Sequence, residues 1–476
     1  MNSNLGKALS IAAFFFGAVI LAYLAYSRPG YFTSKTDLAG LLLLECLAAA
    51  IWLYRRVFFI IVVVTFLLAG MDLPVGSVWT AARWLVLGVG ALVGLTIILK
   101  ERRYSFGMFH VLAFFAILAA LVSAAVSRYV TISLLKVLSL FLLYVYAATG
   151  VRLAVFNREN RFFEGLLIGC EIFVAFIGGL YLLGIEAMGN PNSLGAVMGV
   201  VGAPILLWGS FIHQERFTAR RRMILFLVAT YLTFSSHARA GMLALLLSCA
   251  LLCLALRRYV VLASGITVLA ILIASAAIFQ PDAFSNTVSS FTSSVVYKQK
   301  DPAEGLLGSR TSPWQDSIDA IREHLWFGTG FGTSDTVEEA TENIGRFASS
   351  SATATEHGSS YLALLAWVGV AGALPFVLLL AAIVANIVKV VMWMFRTGDP
   401  LHPAVPLAIV MCAGLIHATF EDWLFAPGYY LCLFYWAMAF VFVDQTKLLR
   451  MPTSIPFWWK RPLPAQGSLG VVSSTR

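Results

Sequence analysis

Apolar runs of about 18 to 25 residues recur along most of the chain, the length a helix needs to cross the hydrocarbon core of a bilayer. A chain built this way has few choices. Its backbone polar groups must be satisfied within the membrane, and helices do that segment by segment. Charged residues are 12% of the chain and apolar residues 60%. A soluble domain carries roughly 25% charged residues. Mean hydropathy is +0.85.

The runs read as about fourteen spans, with twelve as the lower count. Their limits are 8–26, 38–54, 57–71, 78–99, 108–127, 132–155, 163–184, 194–213, 222–236, 240–256, 260–279, 366–395, 404–425 and 429–443. The expected class is an all-α polytopic membrane protein of about 12–14 transmembrane helices. One large outer loop is expected to carry short amphipathic helices.

The formal charge of +9 follows from topology and is no nucleic-acid signal. With the N-terminus inside, every inner loop is basic: Arg55 and Arg56, Arg102 and Arg103, Arg158 and Arg161, Arg220 to Arg222, Arg257 and Arg258, Arg396. The same parity places the long polar segment outside and both termini inside. Residues 1–279 then form an N-terminal bundle, 280–357 the outer loop and 358–446 three closing spans. Residues 447–476 form an inner tail rich in Pro, Gly and Ser, composed like a disordered segment. The six cysteines all lie in apolar runs, a pattern of packing rather than of disulfides or metal ligands.

Within the outer loop, "GSRTSPWQDSIDAIREHLWFGTGFG" (308–332) reads as a short amphipathic helix and a stop. Ser312 suits the cap, Pro313 the first helical position, and Gln315 the third. Trp314, Ile318, Ile321 and Leu325 make its apolar stripe. The terminal glycines are spaced G-x-G-x-G with no strand before them, so they are not a dinucleotide fingerprint. Residues 333–356 read as a connector with a short helix near Asp335 to Asn343.

Cations on the outer side run against the orienting charge pattern. Arg28, Lys35 and Arg128 suit snorkelling to outer headgroups. Arg83, Lys136 and Arg239 have apolar neighbours, and an ionisable group at that depth faces a cavity with a partner. Arg310 lies on the loop helix. Arginine forks suit phosphate oxygens. Glu421 and Asp422 occupy the last outer loop, placed to pair with arginines or to orient a histidine or a sugar. His237 stands beside Arg239. His417 reads as a packed histidine.

Several of these stretches together resemble the superfamily of O-antigen ligases and polymerases, bacterial membrane glycosyltransferases. "SSHARAGMLAL" (235–245) looks like its Ser-x-x-Arg-small-Gly motif. The loop helix looks like its Gly-x-Arg-x3-Trp helix, ending in a Phe-Gly-x-Gly-x-Gly turn. "HGSSYLALLAWVGVAGALPF" (357–376) looks like its histidine followed by Gly-x-x-Gly, and "GNPNSLG" (189–195) like its Asn-Pro-Asn stretch. This chain departs at Leu325, where proline is common, and at Gly358, where Asn or Ser is. The pair Gly369 and Gly372 falls about one residue late.

The resemblance implies transfer of a glycan from an undecaprenyl-pyrophosphate carrier to an acceptor hydroxyl at the periplasmic face of the inner membrane, with inversion. It implies no metal and no other cofactor. His357 would be the general base, its imidazole titrating near operating pH. Arg239 and Arg310 would hold the pyrophosphate, with Lys136 and Arg83 as further lipid-phosphate contacts. Glu421, Asp422, His237 and Glu356 would assist. The acceptor, whether lipid A–core, a growing polysaccharide or protein, stays open. So does ligase against polymerase. A lipid-glycan flippase is the alternative of another class, although such transporters show repeated halves.

Overall fold

The computed structural model describes residues 54–71, 76–101, 106–185, 188, 190–212, 215–279, 308–333 and 357–449. Its secondary structure is helical, with no strand among the described residues. In chain order the helices are α1 (Phe59–Gly70), α2 (Gly76–Glu101), α3 (Met108–Val126), α4 (Val130–Val155) and α5 (Glu159–Leu182). Then come α6 (Pro191–Ile212), α7 (Arg216–Ser235), α8 (Arg239–Ala255), α9 (Tyr259–Phe279), α10 (Gly308–Glu323), α11 (Ser360–Thr397), α12 (Ala404–Ala418) and α13 (Tyr430–Lys447).

Among the described residues, six helices are long and apolar enough to cross a membrane: the Ala81–Glu101 part of α2, and α3, α4, α5, α6 and α11. α8 and α12 are shorter apolar helices. The chain is thus an all-α polytopic membrane protein. The expected span 8–26, and 38–54 up to Tyr54, lie outside the described residues, as do Glu356, the 334–356 connector and the tail from residue 450.

α13 is apolar on every face and buried almost throughout, from Tyr430 to Thr446. An all-round apolar helix belongs at the centre of a bundle, and α12 packs beside it nearly as deeply. α3 packs along α11, and its buried face carries Ala113, Ala116, Ala120 and Ala124, a stripe of small side chains at helical spacing of the kind that lets helices come close. α6 and α8 come closer still. A Cβ on Gly199 would stand 2.4 Å from the Gly241 carbonyl oxygen, and one on Gly241 2.5 Å from that of Gly195.

Several boundaries differ from the sequence reading, the run expected at 222–236 beginning at Arg216 among them, and three bear on the site. The run expected at 366–395 begins at Ser360, and α11 is broken inside at Gly369 (φ 65°, ψ −179°). The run expected to reach residue 425 stops at Ala418, and residues 419–429 form turns that carry Glu421 and Asp422. α10 starts at Gly308, so Ser312 is not its cap and Pro313 lies within it. That proline forfeits only the bond to the carbonyl of residue 309. Leu325 is exposed. The edge of α10 turned to the protein is Arg310, Trp314, Ser317 and Ile321, and it packs on α11.

The break in α11 is repaired by the turn after α10. At Gly369 the carbonyls of Ala366 and Trp367 lose their helical donors, and the amides of Val370 and Ala371 lose their acceptors. Thr329 N and Gly330 N donate to Ala366 O and Trp367 O, each at 3.0 Å. Val370 N donates to Leu325 O at 2.8 Å and Ala371 N to Trp326 O at 3.3 Å. Irregular backbone inside a membrane bundle persists only when protein satisfies it in this way.

The α3–α4 corner holds the same turn from outside. Ser123 Oγ donates to Trp367 O (2.6 Å), Ser127 Oγ to Thr329 O (2.9 Å) and Ser133 Oγ to Phe331 O (3.0 Å). The Lys136 ammonium donates to Gly332 O.

Candidate functional site

The site lies at the end of the bundle that carries the α3–α4, α5–α6 and α7–α8 corners, α10 and the 419–429 turns. The opposite end gathers residues read as inner. Arg158 donates to Arg55 O, Arg152 pairs with Asp444, and Arg257 donates to Phe395 O.

His357 is the residue where the loop returns to the bundle, three positions before α11. It is 5% exposed. Its backbone N–H donates to Asp422 Oδ2 at 3.2 Å. Its Nδ1 lies 2.9 Å from Ser317 Oγ on α10. Its ring stands edge-on to Trp367, 5.6 Å between centroids and 86° between planes. Backbone, ring nitrogen and ring face are therefore each fixed by a different element. Gly358 follows with φ 63°, and a Cβ there would meet Arg310 Cδ and Trp314 Nε1, both at 3.2 Å. Trp314 Nε1 donates to Gly358 O at 3.1 Å. The turn thus lies flat on α10 because it lacks a side chain there.

Arg310, on the same edge of α10 as Ser317, is 5% exposed and pairs with Glu421 at 2.5 Å from Nη2 to Oε1. Ser360 fastens the 419–429 turns to the head of α11. Its N–H and Oγ–H both donate to Glu421 O, at 3.0 and 2.6 Å, and Leu424 N donates to its Oγ at 3.0 Å. Glu421 and Asp422 thus address Arg310 and His357 from one short segment. A carboxylate beside a buried guanidinium holds its fork in orientation and offsets its desolvation.

Arg239 opens α8 and lies within electrostatic reach of Arg310 and Glu421. The glycine contacts of Gly195 and Gly241 place it there, seating the head of α8 against the head of α6. Asn190 caps α6 by accepting from Asn192 N at 2.9 Å. His237, exposed and left-handed (φ 55°), is on the lip of a separate cavity of about 170 Å³ with Tyr181, Asn190, Ser235 and Ser236.

The structure thus joins Arg239, Arg310, His357, Glu421 and Asp422. Two other cations engage loop carbonyls. Lys136 is on Gly332 O. Arg83, buried against Trp84 with its guanidinium carbon 5.1 Å from that ring, donates to Gly428 O at 2.7 Å.

Sequence reasoning gave no site role to Ser317, or to Trp314 beyond the apolar stripe and the motif, and it missed Trp367. The signal for the first two was present: positions 310, 314 and 317 share one helical face. His417 is packed, as expected, but it also feels the charge of Arg310. Trp423 Nε1 donates to its Nδ1 at 2.6 Å. Among the described residues, no group of three or more His, Cys, Asp or Glu is placed to hold a metal ion.

An all-helical membrane bundle that buries a histidine and an arginine where a loop helix meets it, with a second arginine half-buried at the same end, defines a polytopic membrane protein with a polar site at its surface. Residues 222–377 match the family described as O-Antigen ligase, which supports the O-antigen ligase superfamily for this region. The match spans α8, α10 and the turn into α11, which supply Arg239, Arg310 and His357. The family implies an enzyme of glycosyltransferase or ligase type, acting on lipid-linked glycans. No curated protein matches the chain.

Proposed function

We propose that the protein transfers a glycan from an undecaprenyl-pyrophosphate carrier to an acceptor hydroxyl at the periplasmic face of the bacterial inner membrane. The observation that carries this reading is the meeting of His357, Arg310 and Arg239 above one carboxylate-bearing turn. Basic loops at the opposite end support the periplasmic orientation.

In this mechanism the acceptor hydroxyl gives its proton to His357 as its oxygen attacks the anomeric carbon. The bond from that carbon to the pyrophosphate oxygen breaks, and its electron pair leaves with the carrier. Attack opposite the leaving group inverts the centre. Pyrophosphate is a good leaving group, so the site's work is to neutralise developing charge and to place the acceptor. Arg239 and Arg310 do the first. Arg310 is aimed beforehand by Glu421, and an aimed dipole or charge needs no reorganisation during reaction. Asp422 holds the backbone of His357, which fixes where the ring stands.

Lys136 and Arg83 serve the site by holding its walls at Gly332 and Gly428. A lipid phosphate reaching either would compete with those carbonyls. Ligase and polymerase share this chemistry and differ in acceptor.

The test is transfer of a labelled lipid-linked glycan in proteoliposomes, with each acceptor class offered in turn and products read by mass spectrometry. Wild type forms a product and correctly folded His357→Ala does not. Full turnover by that variant removes His357 as base. Movement of the lipid-linked glycan across the bilayer without transfer replaces the enzyme with a flippase.

A further inference from the structure

A histidine can act as a base only through the ring nitrogen that lacks a proton, and the surroundings of His357 decide which nitrogen that is. Ser317 Oγ lies 2.7 Å from Pro313 O, one turn back on α10, and 2.9 Å from His357 Nδ1. A serine hydroxyl has one hydrogen and two acceptor lone pairs. If that hydrogen pointed at Nδ1, Ser317 Oγ and Pro313 O would be two bare oxygens at 2.7 Å, a repulsive contact. Both distances are hydrogen bonds only when Ser317 donates to Pro313 O and accepts from Nδ1–H. Ser317 is itself buried, 1% exposed.

We infer that Ser317 is a positioning residue that locks neutral His357 in the Nδ1–H tautomer, making Nε2 the atom that takes the acceptor proton. The inference rests on the reading of His357 as the base and adds to it the atom and the residue that selects it. Back-bonding from a serine to the carbonyl one turn earlier is ordinary in helices. Here it uses the only hydrogen that Ser317 could otherwise have donated to Nδ1. The carboxylate in a Ser-His-Asp triad has the same task of orienting the ring and fixing its tautomer. In this chain the backbone of α10 does it through a neutral hydroxyl. After proton transfer the imidazolium keeps the Nδ1–H bond to Ser317, so the ring does not have to turn over between the two states.

A second histidine of the same site provides a contrast. The Trp423 indole can only donate, so His417 Nδ1 accepts and its proton is on Nε2. The two buried histidines are thus held in opposite tautomers by two different neighbours.

The experiment uses the full chain in lipid nanodiscs with ¹⁵N-labelled histidine. The signals of His357 and His417 are assigned by difference against His357→Gln and His417→Gln. The expected spectrum at neutral-to-basic pH shows His357 protonated on Nδ1 and His417 on Nε2. In Ser317→Ala, His357 becomes a mixture of tautomers. Glycan transfer by that variant falls in kcat by up to roughly 100-fold, the low end of what a general base supplies, because the mixture still holds some of the competent tautomer. Its KM for the lipid-linked donor is unchanged, and the pH–rate profile shifts on its acid side. Ser317→Thr, which keeps the hydroxyl, restores the tautomer. A wild-type His357 protonated on Nε2, or a tautomer and pH profile unmoved by Ser317→Ala, overturns the inference even if His357 is essential. The predicted spectrum together with full activity in His357→Gln overturns the base reading instead and leaves the tautomer lock standing.

Discussion

Gly328 presses on the backbone of Ala366 and Trp367, and Gly369 on the backbone of Trp326 and Phe327. A Cβ on Gly328 would lie 2.3 Å from the carbonyl carbon of Trp367, and one on Gly369 would lie 2.4 Å from that of Trp326. Each also has a left-handed φ, 69° and 65°. The loop glycine and the membrane-helix glycine are therefore two halves of one joint. Closing it carries the chain from α10 into the break of α11 and brings Ser317 to His357.

Gly328→Ala and Gly369→Ala should each weaken this joint. Each adds positive-φ strain of about 1–3 kcal/mol to an overlap with backbone that cannot swing aside. Thermal unfolding in detergent should shift down for both, with transfer activity lost in parallel. Wild-type stability in either variant would mean that the two segments are not held together as described.

Glu421→Gln should loosen the aim of Arg310. The expected result is a raised KM for the lipid-linked donor. Breaking a buried pair leaves a desolvated guanidinium, at a cost of about 3–5 kcal/mol when the partner is removed outright. The isosteric amide should cost less than Glu421→Ala. A double-mutant cycle with Arg310→Gln checks it, and additive effects would show that the pair does not act as a unit.

Lys136→Met should lower stability rather than donor affinity. It leaves Gly332 O short of a donor in a buried turn, worth about 1–3 kcal/mol. Carrier binding per folded molecule, measured against the thermal shift, separates this outcome from direct phosphate contact. Weakened binding at unchanged stability would return Lys136 to the pyrophosphate.

Gly241→Ala should act on Arg239 from two residues away. Its new Cβ would meet the Gly195 carbonyl at 2.5 Å and push α8 from α6. Donor KM should rise while His357-dependent proton transfer keeps its pH profile. A variant indistinguishable from wild type in donor KM would show that the glycine contact does not place Arg239.

Much of the candidate site was legible because its pieces are local. Arg239, Arg310 and His357 each sit in a short motif with glycine or serine beside it, where a membrane chain has no packing reason for a charge. The apolar runs likewise marked most helices, since a bilayer-length run tolerates few alternatives. Ser317 was not legible in the same way. A serine on a short helix has many uses, and only the 2.9 Å approach of His357 Nδ1 gives it one. The head of α10 was misplaced for a related reason. Ser312, Pro313 and Gln315 make a good local start, but packing Arg310 against Glu421 extends the helix back to Gly308.

The amino-acid sequence by itself determined the class of the protein, a helical membrane bundle, and which residues stand out chemically. Hydropathy, charge sign and glycine spacing are properties of short stretches, and they survive without knowing the fold. Only the tertiary structure decided which of those residues meet. Arg239 and Glu421 are far apart in the chain, and their approach depends on bare glycine contacts between α6 and α8. The break in α11 depends on four hydrogen bonds exchanged with a loop that the sequence places elsewhere. Close approach and hydrogen-bond exchange between distant segments are properties of pairs, which one-dimensional patterns do not carry.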